Sequence, residues 1–299
     1  MRAFIFPGQG SEYACMLKEL YEQSSFASNF IDGLNLSFDI KSIYVAESDR
    51  IHDTRYSQPG NFVFGYILSE LLRQKGITPD ACAGLSLGEY TALGSTDSIR
   101  PKGALRILEK RAELMYEALK DKDTGMQAIM FMEREALEDA VSKFDKVWIS
   151  NYNSPDQIVI AGDNKQLDEC AALCLEKGAK KAVRLSVTGA FHTPLLKDAS
   201  GKLAEELDGY EILKPSAAMY FNCTGNRSDT DVRTLLVRQL YSPVRFEEIV
   251  KNMLTDGINE FITIGAGRSV DGFIRSTALK KNEKVKISHI EKISDLLSI

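Results

Sequence analysis

Apolar and polar positions follow two rhythms along the chain. Ala3 to Phe6 form a continuous apolar run stopped by Pro7 and Gly8, the signature of a short buried strand. From about Glu12 the spacing turns helical, with Met16, Leu17, Leu20 and Tyr21 on one face. A further helix is predicted over Pro59 to Lys75. Pro59 suits its first turn, Phe62, Val63, Tyr66, Ile67 and Leu71 give it an apolar stripe, and Gly76 closes it. Ala81-Cys82-Ala83 reads as a strand running into Gly84-Leu85-Ser86-Leu87-Gly88-Glu89-Tyr90, a tight turn followed by a helix. Another helix opens at Pro101 and reaches about Lys120.

The polar tract Lys120 to Gly125 breaks the pattern and marks a hinge. Beyond it, strands are predicted over Met126–Met132, Val147–Ser150, Gln157–Ala161 and Lys181–Val187, with helices over Glu135–Phe144 and Lys165–Lys177. Asn153-Ser154-Pro155-Asp156 supplies the turn between the middle strands. The order βαββαβ is that of a ferredoxin-like unit of about 60 residues. The chain then returns to mixed helices and strands with Gly-rich turns, among them Gly265-Ala266-Gly267, which lacks the spacing of a dinucleotide fingerprint. An α/β fold follows, with residues 1–124 and 188–299 forming a large catalytic domain and 125–187 a small ferredoxin-like subdomain.

Composition narrows the class. With 299 residues, 44% hydrophobic and 26% charged, the chain has the balance of an ordinary globular protein. A formal net charge of -5 argues against a sequence-independent grip on nucleic acid, while leaving room for a local basic patch. Cys15, Cys82, Cys170, Cys174 and Cys223 are odd in number and form no CxxC pair, which speaks against a disulfide framework or a zinc site. Free thiols fit a reducing cytosol. The run MRAFIF is too short for a signal peptide or a membrane helix, so a cytoplasmic protein without membrane attachment is expected.

Three features carry chemistry. Gly84-Leu85-Ser86-Leu87-Gly88 is a G-x-S-x-G pattern after a strand and before a helix, the context of a nucleophilic serine. The helix would point its N-terminus at the reacting centre, and the Leu87 N–H would stabilise an oxyanion. The bland alternative is a strand-to-helix turn with glycines for geometry. A serine needs a base. His52 lies in the polar stretch IHDTR and His289 among charged residues, so both read as surface histidines. His192 follows a strand within Thr188-Gly189-Ala190-Phe191-His192-Thr193-Pro194, and elimination selects it over a loop histidine with no role. Third, Ala104, Leu108, Arg111 and Met115 are spaced four, three, four, which sets Arg111 inside an apolar stripe. A buried guanidinium needs an anion: either a structural salt-bridge partner or a substrate carboxylate held by both arms of the fork.

Together these residues resemble a family, the malonyl-CoA:acyl carrier protein transacylases and the acyltransferase domains of polyketide synthases. The resemblance runs nearly end to end: FPGQGSE, SQPGNF, GLSLGEYTAL, EKRAELM, NYNSPDQIVIAG, GAFHTPLL and VRQLYSPVRF, in that order. It implies a large α/β-hydrolase-like core with an inserted ferredoxin-like subdomain. It also implies ping-pong transfer of malonyl from malonyl-CoA to a holo acyl carrier protein by a monomer, with no cofactor or metal. Ser86 matches the acylated nucleophile, His192 its base, Gln9 the second oxyanion contact beside Leu87, and Arg111 the carboxylate anchor. Gln239 matches the residue whose backbone carbonyl orients the histidine; Gln58 and Asn153 match pocket positions, and Phe191 the malonyl-selecting form. Two departures stand out: Leu85 replaces a common histidine, and Glu12 a common glutamine. Rival readings are an esterase or thioesterase, a polyketide acyltransferase of other acyl selectivity, and an inactive carrier-protein binder. The first would need an acid between Ser86 and His192 and an HGGG-type loop, which the chain lacks.

Overall fold

The computed structural model describes residues 1–187 and 189–299. Thr188, at the boundary expected between the two domains, lies outside the described residues. The strands are β1 (Arg2–Phe6), β2 (Ala81–Gly84), β3 (Thr124–Met130), β4 (Val147–Ser154), β5 (Gln157–Asp163), β6 (Lys181–Arg184), β7 (Ala218–Met219), β8 (Val244–Arg245), β9 (Glu260–Ile264) and β10 (Lys286–Ile290).

The first sheet is parallel, in the order β10-β9-β1-β2-β7. Its central strands β1 and β2 are apolar on both faces because helices cover both. On β1 the side chains alternate: Phe4 and Phe6 join one core with Phe62, Ile67 and Leu108, while Ala3 and Ile5 join another with Ile249, Met253 and Ile274. The long helices Thr54–Gln74 and Pro101–Leu119 thus pack on one side, and Phe246–Thr255 and Ser269–Lys280 on the other.

The second sheet has the order β6-β3-β5-β4-β8. Within the βαββαβ segment this is the antiparallel order 4-1-3-2 of a ferredoxin-like unit, with helices Arg134–Val141 and Asn164–Glu176 on one face. Leu137, Leu167, Cys170 and Cys174 pack there on Ile129, Ile158 and Ile160. β8 comes from the later chain and pairs parallel with β4, Asn151 opposite Val244 and Tyr152 opposite Arg245. That graft sets the small sheet beside the carboxyl end of the parallel one, where α/β folds place their sites.

Several boundaries differ from expectation. The helix holding Pro59 begins five residues earlier, at Thr54, because the Asp53 carboxylate caps the Arg55 N–H at 2.9 Å; Pro59 sits inside it. The segment from Glu12 is irregular to Leu17 and then gives two short helices, Lys18–Gln23 and Ser25–Asp32. Ser24 splits them, being extended and accepting the Ala27 N–H. β4 continues through Asn153 to Ser154, so its hairpin turn is only Pro155-Asp156. β6 stops at Arg184; Leu185 still donates its N–H to the Met126 carbonyl at 3.0 Å, and Ser186 and Val187 run on as irregular chain. His289 is not a surface residue. Its ring is buried on β10, 3.6 Å from the Asp271 carboxylate and 3.4 Å from Glu291. Burial opposes its charge, but those two carboxylates outweigh the penalty and raise its pKa. Among the described residues no helix is long and apolar enough to cross a membrane.

Candidate active site

β2 ends at Gly84, helix Gly88–Ser95 begins at Gly88, and the reversal between them is sharp enough to exclude side chains at both glycines. A Cβ on Gly84 would lie 1.9 Å from the Gly88 carbonyl carbon, and one on Gly88 2.3 Å from the Phe6 oxygen. Ser86 itself takes φ 55, the left-handed region that a side chain resists. This strained turn lifts the hydroxyl to the mouth of the sheet. The Leu87 N–H, at the end of the following helix, takes no acceptor among the described residues.

His192 closes on the serine from the other side of the chain. Its Nε2 lies 2.7 Å from Ser86 Oγ, and its Nδ1 lies 2.9 Å from the Gln239 carbonyl oxygen. A carbonyl can only accept, so Nδ1 carries the hydrogen and Nε2 presents its lone pair to the hydroxyl. Burial first, and then the Arg111 charge, pull the imidazole pKa down to about 3. The ring is therefore a neutral acceptor through the neutral range. A base works only unprotonated, so acylation should be flat above about pH 5 and fall toward pH 3, not lose half its rate near 6.5. His192→Ala should cost at least about a hundredfold at neutral pH. Rates of a single acylation turnover across pH check both; an inflection near 6.5 would contradict the assignment.

Arg111 lies beneath the same hydroxyl, on helix Pro101–Leu119, at 1% exposure. Its guanidinium donates to Gln58 Oε1 at 2.5 Å, to Gln239 Oε1 at 3.0 Å and to Ser86 Oγ at 3.1 Å. Every one of these acceptors is neutral, and its Nε has no partner. Burial lowers its pKa, yet an arginine remains charged. The nearby Glu89 is fully buried, and burial pushes its carboxyl up to about 8, against the Asn222 N–H and the Arg111 charge. Burial thus disfavours the charged form of Glu89, which makes no hydrogen bond to Arg111. The structural salt bridge considered from sequence is not there; among the described residues no carboxylate pairs with Arg111.

These groups open on a cleft of about 770 Å³. Gln9, Gln58, Met115, Met126, Asn153 and Phe191 border it, and Leu87 joins them at the elbow. Gln9 accepts from the Thr54 hydroxyl at 3.0 Å. Glu12 receives the Gly10 N–H at 2.8 Å and the Asn61 amide at 3.2 Å, so it pins the glycine-rich loop through a carboxylate oxygen, an acceptor that a glutamine also offers. Leu85 packs against the cluster of Tyr220 and Phe246 and borders the cleft. Asn153 donates to Gln157 and leaves its Oδ1 unpartnered. His52 is exposed at the rim, 3.8 Å from Glu12.

Ser86, His192, Arg111, Gln58 and Gln239 therefore form one hydrogen-bonded unit, with Gln9, Leu87, Asn153 and Phe191 around it. Three further parts escaped the sequence reading. The Gln239 side chain donates to the Ser86 carbonyl at 2.9 Å. The Tyr90 ring lies 5.5 Å from the Arg111 guanidinium. Asn222 grips the elbow from behind, and no local pattern in the sequence marks it.

An acyltransferase is what this fold and this cleft define. The chain belongs to the acyl transferase domain family, which matches residues 3–286. The malonyl CoA-acyl carrier protein transacylase of Bacillus subtilis (strain 168) is 36% identical to it over 293 residues, 95% of this chain and 91% of that protein. The crystal structure of MCAT from Streptococcus pneumoniae superposes with a TM-score of 0.93 at 34% identity, covering 100% of this chain and 98% of that one. A malonyl-transacylase solved in complex with a type II polyketide synthase acyl-carrier protein gives a TM-score of 0.90 at 30% identity, covering 99% and 98%. Both share the mixed α/β architecture described above.

Proposed function

We propose that the protein moves a malonyl group from malonyl-CoA to the phosphopantetheine thiol of an acyl carrier protein, by way of an ester on Ser86. The observation that carries this reading is Arg111: a buried cation, satisfied only by neutral amides and a hydroxyl, 3.1 Å from the nucleophile. A carboxylate two bonds from the reacting carbonyl is the anion that would complete it. The names of the relatives, malonyl CoA-acyl carrier protein transacylases, support the same substrate.

Ser86 Oγ attacks the thioester carbon as His192 Nε2 takes its proton. The Leu87 N–H and the Gln9 loop receive the negative oxygen. The intermediate collapses with loss of the CoA sulfur, which leaves as the thiol with the proton from His192. The carrier thiol then gives its proton to His192 and attacks the ester carbonyl; the bond between the acyl carbon and Ser86 Oγ breaks, and Oγ recovers the proton from His192. The Gln239 carbonyl keeps the imidazole oriented in both halves, in place of a carboxylate. Residues 1–124 and 188–299 form the catalytic domain in this reading, and 125–187 the lobe that closes one wall of the cleft.

The test is product analysis. Malonyl-CoA with holo carrier protein should yield malonyl-carrier protein, and without carrier it should release CoA only to the level of one enzyme equivalent. Continuous release of free malonate at the same rate with and without carrier would mean a hydrolase and overturn the proposal.

A further inference from the structure

Behind the elbow, out of reach of the cleft, a single side chain is bonded in a way that the chemistry described so far does not use. Asn222 is fully buried. Its Nδ2 donates to the Gly84 carbonyl at 2.6 Å, and its Oδ1 accepts the Ser86 N–H at 2.6 Å. One amide thus brackets the peptide groups on either side of Leu85. The reason lies in the sheet. β7 is two residues long, and its ladder to β2 ends with the Tyr220 N–H on the Cys82 carbonyl. The next groups of the rising chain would be buried without partners, a costly state. Asn222 continues the ladder with its side chain.

We infer that Asn222 is a positioning residue for acyl transfer: its amide locks Ser86 in the left-handed backbone conformation that aims the hydroxyl at His192. The inference rests on the reading of Ser86 as nucleophile. Asn222 is itself fixed at both backbone ends, since its N–H donates to Glu89 Oε2 at 2.6 Å and its carbonyl accepts the Arg245 N–H at 3.0 Å. Glu89 belongs to the helix behind the nucleophile and Arg245 to β8, the edge strand of the second sheet. The Ser86 N–H is held by Asn222 and the Ser86 carbonyl by Gln239, so both peptide groups of the strained residue are tied by buried amides. With its own N–H committed backwards, Ser86 leaves the Leu87 N–H as the donor facing the cleft.

Asn222→Asp tests this without changing shape. A protonated carboxyl can reproduce both bonds, its C=O accepting from Ser86 and its O–H donating to Gly84. Ionised, it loses the donor and sets an anion against the Gly84 oxygen. The acylation rate of the variant relative to wild type should hold near one at low pH and fall at least about tenfold as the buried carboxyl ionises, within about pH 6 to 9.5. The fall should lie in kcat, with KM for malonyl-CoA little changed, and reverse on returning to low pH. Asn222→Leu, which can make neither bond, should lose about a hundredfold at every pH. Labelling of Ser86 by a fluorophosphonate is measured beside malonyl transfer. If wild type reacts with the fluorophosphonate but takes no malonyl, the substrate reading fails while the labelling rates still test Asn222. A rate ratio constant with pH, a full-rate Asn222→Leu, or a fall that tracks melting of the variant overturns the inference.

Discussion

Ser86→Ala is expected to abolish the covalent adduct. Wild type mixed briefly with malonyl-CoA should gain one malonyl mass, mapped to the peptide holding Ser86, and the variant none. The argument rests on the rest of the nucleophile inventory. Cys82 and Cys223 are buried, and burial raises their thiols to about 12 and about 11, far from the thiolate that would react. Cys170 and Cys174 are buried in the small sheet's core, and Cys15 lies outside the cleft. Among the described residues that border the cleft, Ser86 has a base at hydrogen-bond distance and an unused N–H beside it. Its loss should remove nearly all transfer, leaving at most the residual catalysis that binding and the oxyanion donors lend to direct attack by the carrier thiol. An adduct that persists in Ser86→Ala would sink the assignment.

Much of this was legible because local sequence states it. Gly84 and Gly88 announce a turn that no larger residue could make, and the strand and helix around them place it. The alternation from Met126 onward gives a small sheet whose order the structure keeps. Arg111 stood out because a cation in an apolar stripe contradicts its surroundings. What stayed hidden depends on contacts distant in sequence. Asn222 meets the Ser86 N–H across 136 positions, through a two-residue strand with almost no pattern of its own. Glu89 reads as a polar residue in a first helical turn, yet the fold encloses it completely. His289 sits between charged neighbours, which suggested solvent; its carboxylate partner Asp271 comes from a different element. Pro59 suggested a helix start because proline is welcome there, but the Asp53 cap sets the true one.

Arg111→Ala should change which acyl group the enzyme prefers, not only its speed. The guanidinium holds Gln58, Gln239 and Ser86 in place and borders the cleft beneath the nucleophile. Pairing there excludes water, so losing it should cost malonyl transfer about 2–5 kcal/mol, or roughly thirty- to several-thousandfold in kcat/KM. An acetyl thioester has no carboxylate, and its slow transfer should be unchanged or improved once the unpaired cation is gone. Arg111→Lys should rescue incompletely, because a point charge cannot span both glutamine oxygens and a bidentate carboxylate. The same substitution carries a second signature. The Arg111 charge helps to depress the His192 pKa, so its removal should move the acid limb of the rate profile upward from about 3. Burial is the larger cause, and the limb should stay below the ordinary 6.5. The measurements are kcat/KM for malonyl-CoA and acetyl-CoA in wild type and both variants, pH profiles for acetyl transfer, and melting temperatures. Equal losses for the two substrates, with a large fall in Tm and an unmoved acid limb, would make Arg111 a structural residue and remove the basis for malonyl selection.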